Sequence, residues 1–279
     1  MKFDASHPDV IAAVRRALDE DIGAGDITTN LTVPAGRMAS GTYFAREPMT
    51  VAGVELLPLI HAERGPVSSV EILIPSGGNA APGDAIARVT GPARVLLTCE
   101  RVSLNFMQRL SGVATLAARF AAEVAGTKCR VLDTRKTTPG LRVLEKMAAA
   151  CGGVTNHRMG LYDAILIKNN HISACGGVRA ALKAVAGQSI PAEIEVRTLE
   201  ELDEALEFGA TRLLLDNLTP DEARKWIERI AGRATTELSG GITRETARAY
   251  AEAGADFLSA GAITHSARSV DINFRLTLA

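Results

Sequence analysis

Six short apolar segments in the second half of the chain each end in polar residues suited to chemistry. The segments are CRVLD, AILIK, EIEV, RLLLD, TTELS and DFLSA, within residues 129–260. A helical pattern separates each from the next, which predicts six βα units with parallel strands. In such folds the loops at the C-terminal strand ends converge on one crevice. The sequence therefore predicts one site formed by these six ends.

Basic side chains cluster at or near these ends: Arg135, Lys136, His157, Arg158 and Lys168, with Arg101 upstream. Arginine binds planar carboxylates and phosphates through paired hydrogen bonds. Taken singly, each cation is more often a solvated surface residue, and His157 suits a structural role equally well. The chain has 31 Lys and Arg against 32 Asp and Glu, so such clustering favours a small substrate with several negative charges.

Two carboxylates, Glu195 and Asp216, lie on neighbouring predicted strands. They suit a general acid/base pair, a Mg²⁺ site or ion pairs with nearby bases. Phosphate-binding turns close by favour Mg²⁺, which proteins hold through one or two carboxylates and the substrate's own oxygens. Lys168 on a strand also suits a Schiff-base nucleophile, but the other cations fit anion binding better.

Two glycine turns, around Gly240-Gly241 and Gly261, each fall just before a predicted helix. Free backbone N–H groups at such positions hold phosphate, although ordinary strand-to-helix turns look the same. Because the two turns follow the last two strands, the phosphate position of βα barrels, phosphate binding is favoured.

Composition and motifs exclude several other classes of protein. The chain lacks G-x-x-x-x-G-K-[ST], G-x-G-x-x-G, H-E-x-x-H and G-x-S-x-G, the signatures of common nucleotide, zinc and serine-hydrolase sites. A net charge of −1 argues against a nucleic-acid binder. We expect no membrane span and no export signal. The four cysteines form no C-x-x-C pair, so we expect a reducing cytoplasm.

The elements that carry these residues follow from hydrophobic periodicity. Helical spacing predicts a first helix from Pro8 to about Leu18, followed by a turn-rich segment at 21–29. Residues 40–92 read as a small α+β unit on an antiparallel sheet. Residues 93–125 predict two helices, the second starting after Ser111-Gly112. Residues 270–276 alternate like a strand and are expected to return to the N-terminal sheet. The six βα units fit a doubly wound sheet or a barrel, and their spacing favours the barrel.

Residues 133–171, DTRKTTPGLRVLEKMAAACGGVTNHRMGLYDAILIKNNH, closely resemble the quinolinate phosphoribosyltransferase family. EDIGAGDITT, ERVSLNFMQRLSGVAT, LLLDN, ELSGGI and GAITHS continue the resemblance along nearly the whole chain. It implies an α/β fold of the type II phosphoribosyltransferase kind, with an N-terminal α/β sandwich and an open α/β barrel. The sandwich is expected at residues 1–112, completed by 267–279, and the barrel at 113–266.

The resemblance also implies an activity. The family transfers the phosphoribosyl group of 5-phosphoribosyl-1-diphosphate to quinolinate with decarboxylation. The products are nicotinate mononucleotide, pyrophosphate and CO₂, a step of NAD biosynthesis. The expected cofactor is Mg²⁺, and the expected assembly is a homodimer or higher homo-oligomer in which Arg101 completes the partner's site.

Residue roles are carried over by motif. Arg135, His157, Arg158 and Lys168, with Arg101 of the other subunit, are implied to hold the quinolinate carboxylates, and Thr134 also binds substrate. Lys136 and Lys168 face the diphosphate, while Glu195 and Asp216 position Mg²⁺ and the ribose. Lys136, Lys168, Glu195 and Asp216 form the implied catalytic set. The 5-phosphate cradle is implied to comprise Ser239, Gly240, Gly241, Ala260, Gly261 and Ala262.

Three residues depart from the family pattern: Met147 replaces a common aromatic, Arg197 a common acid and Ala260 the usual Val. Arg197 follows Glu195 by two and is expected to weaken the metal preference. Three alternatives stay open: a phosphoribosyltransferase-like paralogue of molybdate-uptake operons, a Schiff-base lyase using Lys168, and a non-catalytic anion-binding protein.

Overall fold

A computed structural model describes residues 2–278, which form two compact units. The first unit comprises the chain up to residue 118, residues 137–153 and the chain from 263 onward. The second comprises residues 119–136 and 154–262. Residues 137–153, assigned to the barrel domain in the sequence analysis, thus pack within the first unit.

The helices and strands alternate from the middle of the chain onward. The helices are α1 (Pro8–Ile22), α2 (Ile27–Thr32), α3 (Leu57–Ala62), α4 (Ala93–Glu123), α5 (Arg142–Cys151), α6 (Asn169–Cys175), α7 (Val178–Val185), α8 (Leu199–Glu207), α9 (Pro220–Ile230), α10 (Arg244–Glu252) and α11 (Ala262–His265). The strands are β1 (Met38–Ala45), β2 (Met49–Thr50), β3 (Ser69–Ile72), β4 (Asn79–Ala80), β5 (Ala85–Pro92), β6 (Arg130–Leu132), β7 (Ile165–Ile167), β8 (Ala192–Val196), β9 (Arg212–Asp216), β10 (Thr235–Ser239), β11 (Phe257–Ser259) and β12 (Ile272–Leu278).

The first unit is built on an antiparallel sheet with the strand order β12-β1-β5-β3. Burial alternates along β1, so one face packs on the core. Tyr43 of β1 contacts Phe274 of β12, with ring centroids 4.8 Å apart. A Cβ on Gly41 would lie 2.0 Å from the Phe274 ring, so glycine there leaves room for that ring. The pairing of β12 with β1 confirms that the C-terminal segment returns to the N-terminal sheet.

The predicted break at Ser111-Gly112 is wrong, because α4 runs without interruption through both residues. Gly112 has a packing role instead: a Cβ there would lie 1.9 Å from the carbonyl oxygen of Arg268. Ser111 accepts a hydrogen bond from the backbone N of Ala52 at 2.9 Å. Small residues let other segments approach this helix closely. In the sequence, a glycine needed for such packing looks the same as a glycine that ends a helix.

The second unit carries a parallel sheet with the strand order β6-β11-β10-β9-β8-β7. The first strand pairs with the last, and the others follow in chain order, as in a barrel opened between its first and second strands. Thr155 forms a parallel bridge with Leu132, so the segment after α5 lines the open side of β6. This order confirms the open α/β barrel and makes the doubly wound alternative wrong.

The two faces of this sheet differ in chemistry. Ile194, Leu213, Leu215 and Leu238 are buried on one face, and α8 packs on β8. The other face alternates with them and carries Glu193 and Glu195 on β8 and Ser239 on β10, beside the apolar Leu214 of β9. The barrel interior therefore holds several polar side chains.

In the part of the chain that is described, no helix has the length and apolar character needed to cross a membrane.

Candidate active site

The predicted barrel residues lie at or just after the C-terminal ends of the strands. Thr134, Arg135 and Lys136 follow β6, and His157 and Arg158 lie between β6 and β7. Lys168 follows β7, Glu195 lies in β8, and Asp216 and Ser239 end β9 and β10. The structure thus places these side chains on the loops and strand ends where barrel enzymes hold their substrates.

Glu195 forms the centre of a charged group on adjacent strands. Its side chain is 6% exposed, and its Oε2 lies 3.2 Å from Lys168 Nζ. The backbone N of Asn169 donates to Glu195 Oε1 at 3.4 Å. Burial and the negative charge of Glu195 raise the pKa of Asp216, and the positive charge of Lys168 lowers it. Two acids thus share one lysine, an arrangement that attracts a further cationic centre.

Capped helices hold both acids in place. After β8, the Thr198 hydroxyl accepts from the backbone N of Glu201 at 3.2 Å and begins α8. After β9, Thr219 and Glu222 form a reciprocal capping box at the start of α9, with Pro220 at its first position. Each strand end is therefore tied to a rigid helix through a short loop.

The turn after Asp216 depends on Gly240. Asn217 has a left-handed φ of 58°, and its side-chain N donates to Asp216 Oδ2 at 2.7 Å. The backbone N of Asn217 donates to the carbonyl of Ser239 at 2.9 Å. A Cβ on Gly240 would lie 2.2 Å from Asn217 Oδ1, and Gly240 itself has a φ of 101°. Only glycine fits here, and its close contact with Asn217 helps to orient the Asp216 carboxylate.

The predicted phosphate cradle is only partly open to a ligand in this structure. Gly241 has a φ of 59° and precedes α10 by a short turn. The backbone N of Ala260 already donates to the carbonyl of Leu132 at 3.2 Å. The amides after β10 are thus better placed for phosphate than the first amide after β11. The assignment of this cradle remains a prediction.

Arg135 and Arg158 approach each other in the second unit. Burial lowers the pKa of Arg158, and the positive charge of Arg135 lowers it further. Arg158 Nη1 donates to the carbonyl of Ala164 at 3.1 Å, which fixes one end of its guanidinium. Two guanidinium groups held near each other favour a bound anion between them. This pair is a candidate anion-binding feature of the barrel.

The loop after β6 is shaped by a local hydrogen bond. The backbone N of Lys136 donates to the Thr134 hydroxyl at 3.0 Å. Thr134 is half-buried, whereas the Lys136 side chain is exposed. The implied role of Lys136 toward the diphosphate stays a prediction.

His157 lies inside the barrel, with 15% of its side chain exposed. Its Nε2 lies 3.3 Å from Glu237 Oε2 and 3.5 Å from Glu193 Oε2. Burial lowers the pKa of His157, but hydrogen bonds to Glu193 and Glu237 outweigh it and raise the pKa to about 9. The backbone N of Arg158 donates to Nδ1 at 2.7 Å, so Nε2 is the ring nitrogen that carries the proton toward the two acids in this structure.

Sequence reasoning assigned no role to four residues that shape this region: Asp133, Asn156, Glu193 and Glu237. Asp133 is fully buried and accepts from Asn156 Nδ2 at 2.6 Å. The sequence did contain a signal for two of them. Glu193 and Glu237 each lie two residues before a predicted site residue, so each shares a strand face with that residue. Their contact with His157 was not predictable, because it joins strands distant in sequence.

Arg101 lies in the first unit, on α4, where its side chain is exposed while Val102 beside it is buried. The other predicted site residues up to Ala262 lie in the second unit. The contribution of Arg101 to a partner's site therefore remains a prediction.

The structure shows the contacts of two residues that depart from the family pattern, Met147 and Arg197. Met147 is buried, and its sulfur accepts from the backbone N of Asp4 at 3.4 Å. Arg197 is exposed, and its backbone N donates to Glu201 Oε2 at 2.7 Å. Its positive charge lowers the pKa of Asp216, after the larger effects of burial, Glu195, Lys168 and Asn217. The expected weakening of the metal preference by Arg197 stays a prediction.

Two sets of side chains in the described barrel are suited to a metal ion. Glu195 and Asp216 offer only carboxylate oxygens, the ligands that Mg²⁺ prefers. His157, Glu193 and Glu237 bring their ligand atoms within 4.8 Å of one another. In this second set the imidazole N–H already donates to the acids, so the set is closed by hydrogen bonds. The first set fits Mg²⁺ better.

Comparisons with known proteins identify the family of the chain. Family models for quinolinate phosphoribosyl transferase match the chain along most of its length, the N-terminal domain at residues 26–111 and the C-terminal domain at 113–275. The carboxylating nicotinate-nucleotide pyrophosphorylase of Mycobacterium leprae is 42% identical, over 99% of this chain and 98% of the relative. The chloroplastic carboxylating nicotinate-nucleotide pyrophosphorylase of Arabidopsis thaliana is 40% identical, over 97% of this chain and 84% of the relative.

A solved structure shares the whole fold. NadC from Streptococcus pyogenes superposes with a TM-score of 0.94 at 35% identity, covering 100% of both chains. The open barrel, with its paired acids and paired arginines, defines a phosphoribosyltransferase of the α/β-barrel class. The chain belongs to the quinolinate phosphoribosyltransferase family.

Proposed function

We propose that this protein joins quinolinate to 5-phosphoribosyl-1-diphosphate and releases pyrophosphate and CO₂, giving nicotinate mononucleotide for NAD biosynthesis. One observation carries the proposal: a pair of guanidinium groups and a pair of carboxylates face the same barrel. The first pair suits a dicarboxylate, and the second suits a sugar that becomes cationic as its leaving group departs.

Recognition of quinolinate falls to the cations. Arg135 and Arg158 each present a planar fork that matches a carboxylate. Because their charges disfavour each other, a dianion between them is stabilised more than a monoanion. Lys168, half-exposed beside Glu195, adds a third positive charge for the substrate carboxylates or the diphosphate.

Bond exchange at the ribose falls to the acids. The pyridine nitrogen attacks the anomeric carbon, the bond from that carbon to the diphosphate oxygen breaks, and pyrophosphate leaves with the electron pair. Positive charge builds on the ribose during this step, and fixed carboxylates at Glu195 and Asp216 stabilise it. Lys136 and Lys168 compensate the negative charge on the departing pyrophosphate.

Loss of CO₂ needs no separate electron acceptor. Once the ring nitrogen carries the ribosyl group it is cationic. The bond between the ring and the neighbouring carboxylate then breaks, its electrons stay on the ring carbon beside that nitrogen, and this carbon takes a proton. The second carboxylate remains as the nicotinate group.

We assign Mg²⁺ to Glu195 and Asp216. The fit rests on the donor chemistry of two carboxylates on adjacent strands, where burial first and the charge of Glu195 second raise the pKa of Asp216. When bound, Mg²⁺ would neutralise diphosphate oxygens. The 5-phosphate is assigned to Ser239, Gly240 and Gly241, with Ala260, Gly261 and Ala262.

We further propose a homodimer in which Arg101 completes the partner's site, since this exposed arginine lies outside the unit that carries the other site residues. A reducing cytoplasm is the proposed setting, because Cys99, Cys129, Cys151 and Cys175 are all free thiols.

The alternatives are less well supported. A Schiff-base lyase needs the Lys168 amine available for attack, whereas Lys168 Nζ is engaged with Glu195 Oε2 at 3.2 Å. A molybdate-operon paralogue or a non-catalytic protein is disfavoured by near full-length relatives named as carboxylating nicotinate-nucleotide pyrophosphorylases.

One assay tests the proposal. Purified protein is incubated with quinolinate, 5-phosphoribosyl-1-diphosphate and Mg²⁺, and nicotinate mononucleotide is followed by chromatography with equimolar CO₂ release. Asp216→Asn serves as the matched control for contaminating enzyme, because it removes one charge at almost constant volume. Absence of product from the unaltered protein, under conditions where it is folded, refutes the activity.

A further inference from the structure

A hydrogen-bonded cluster inside the barrel lies next to the site residues without belonging to them. His157 reaches Glu193 on β8 and Glu237 on β10 through a single ring nitrogen, Nε2. Glu237 is 3% exposed, so its charge depends on this donor rather than on water. The imidazole therefore joins two strands that are not neighbours in the sheet.

The main chain on the other side of the ring is also held. Asp133 Oδ1 accepts from the backbone N of His157 at 2.8 Å, and Asp133 Oδ2 accepts from Asn156 Nδ2. The next amide, that of Arg158, faces His157 Nδ1 at 2.7 Å. The ring thus lies between Glu193 and Glu237 on one side and, on the other, the backbone of Arg158, whose pKa is lowered in part by the charge of Arg135.

We propose that Glu193 and Glu237 are positioning residues that act through His157 to fix Arg158 for quinolinate. The inference rests on the proposed function of the site. It assigns His157 a supporting role in place of the direct contact with a substrate carboxylate that the family resemblance implies, because both ring nitrogens face groups of the protein itself.

Charge explains why such a support is needed. Two acids in the barrel interior would repel a dicarboxylate, and they also repel each other, because the ligand atoms of Glu193, Glu237 and His157 all lie within 4.8 Å of one another. His157 lies against both and supplies the hydrogen-bond donor that compensates them. The backbone of Arg158 is then fixed for binding the substrate, and the negative charges of Glu193 and Glu237 are compensated by His157.

The test uses two substitutions at one position. Glu237→Gln keeps an acceptor for Nε2 at nearly the same size, whereas Glu237→Leu removes it. We expect Glu237→Leu to raise the KM for quinolinate about 10- to 100-fold, the range for misplaced substrate-binding groups. The KM for 5-phosphoribosyl-1-diphosphate is expected to stay within about twofold, since the acids that face the ribose are untouched. Glu237→Gln is expected to restore most of the quinolinate affinity.

A destabilised control separates positioning from general loss of fold. Leu213→Ala empties a buried position on β9 that faces away from the interior, so it lowers Tm without touching His157. If both KM values rise together in Glu237→Leu, the positioning role is wrong. It is also wrong if a Leu213→Ala protein of equal Tm shows the same selective rise in the KM for quinolinate. A selective rise confined to quinolinate and rescued by Gln supports it.

The His157→Gln variant distinguishes support from direct contact. If His157 acts only through the acids, the double variant with Glu237→Leu loses no more quinolinate affinity than the worse single variant. Additive losses show that His157 touches the substrate and overturn the inference.

A measurement that does not depend on catalysis tests the cluster even if the proposed function is wrong. The ¹⁵N NMR signal of His157 Nε2 in the unaltered protein should show a hydrogen-bonded N–H, changed in Glu237→Leu and kept in Glu237→Gln. An unchanged signal in Glu237→Leu refutes the cluster itself. Absence of turnover with quinolinate refutes only the proposed function.

Discussion

The ammonium of Lys168 lies 3.2 Å from Glu195 Oε2 and joins the ends of two adjacent strands, β7 and β8. The lysine side chain is 48% exposed and the glutamate only 6%, so the pair stands at the border between barrel interior and solvent. Glu195 is held there by one flexible cation and one backbone amide, that of Asn169. A substrate diphosphate that draws Lys168 away would leave Glu195 to face the developing positive charge on the ribose.

This arrangement predicts the effect of removing the acids. Glu195→Ala and Asp216→Ala are expected to fold but to lose about 10²–10³-fold in kcat, the usual effect of removing one preorganised electrostatic group. Circular dichroism and Tm check the fold, and saturating steady-state assays give kcat. Near-normal kcat in both variants would reassign these acids to structural ion pairs.

The paired arginines predict selectivity between substrates. We expect quinolinate to be preferred over nicotinate, because nicotinate has one carboxylate fewer and leaves a cation of the site uncompensated. An unpaired charge in a partly buried site costs roughly 2–5 kcal/mol, or about 30- to several-thousand-fold in kcat/KM. Competition assays with both acids measure the ratio, with product separated by chromatography. Comparable turnover of nicotinate contradicts the assignment.

A carboxylate at the other end of the barrel predicts a pH dependence of stability. Asp256 accepts hydrogen bonds from Lys128 Nζ at 2.9 Å and from the Thr236 backbone N at 2.9 Å. Burial raises the pKa of Asp256, but these two partners outweigh burial and hold it below the ordinary value of 3.8. The ionised form is thus bound more tightly in the folded protein. Its contribution to the free energy of unfolding is complete above pH 3.8 and is lost as pH falls through the lowered pKa.

The matching variant is Asp256→Asn, which keeps the shape and removes the charge. We expect it to lower Tm at pH 7 and to make Tm fall less steeply than in the unaltered protein as pH drops below about 4. Thermal unfolding across that range tests this. Asp203→Asn, which alters an exposed ion pair with Arg229, is the control and should change little. Parallel pH curves for Asp256→Asn and the unaltered protein would contradict the assignment.

Gly112 predicts a large effect of a single methyl group. Because a Cβ there would lie 1.9 Å from the Arg268 carbonyl, Gly112→Ala must displace the chain beside α4. Overpacking of this kind destabilises by about 1–3 kcal/mol, which outweighs the helix propensity of alanine. Urea denaturation measures the change. Gly36→Ala, where a Cβ meets nothing within 4 Å, is the control and should have little effect. Equal stability of both variants would show that the segment yields without strain.

The sequence predicted the fold wherever the periodicity was local. The alternation at 270–276 and the βα rhythm after residue 129 both matched the structure, because each pattern reflects one buried face. Gly112 misled the helix prediction, since a tight contact between distant segments and a helix break require the same residue. The same limit applies to Glu193 and Glu237. Strand alternation places them in the barrel interior, but only the folded chain brings them to His157.

The last prediction concerns the exposed Arg101 on α4. We expect it to act in the site of a partner subunit, so that a two-fold dimer makes each site a composite of both chains. Two variants that we expect to be inactive, Arg101→Ala and Lys136→Ala, then remove residues that different subunits contribute to the same site. A mixed dimer holds one site with both lesions and one site with neither.

Dissociating and reassociating the two variants tests this directly. When half the dimers are mixed, activity should return to roughly a quarter of the unaltered value, because half the sites in half the dimers are intact. Differently tagged subunits, isolated over two columns, give the mixed dimer alone, and each variant taken separately through the same steps is the control. If Arg101 served its own subunit, every site would keep one lesion and mixing would restore nothing. Confirmed exchange without recovered activity therefore places Arg101 in its own subunit's site.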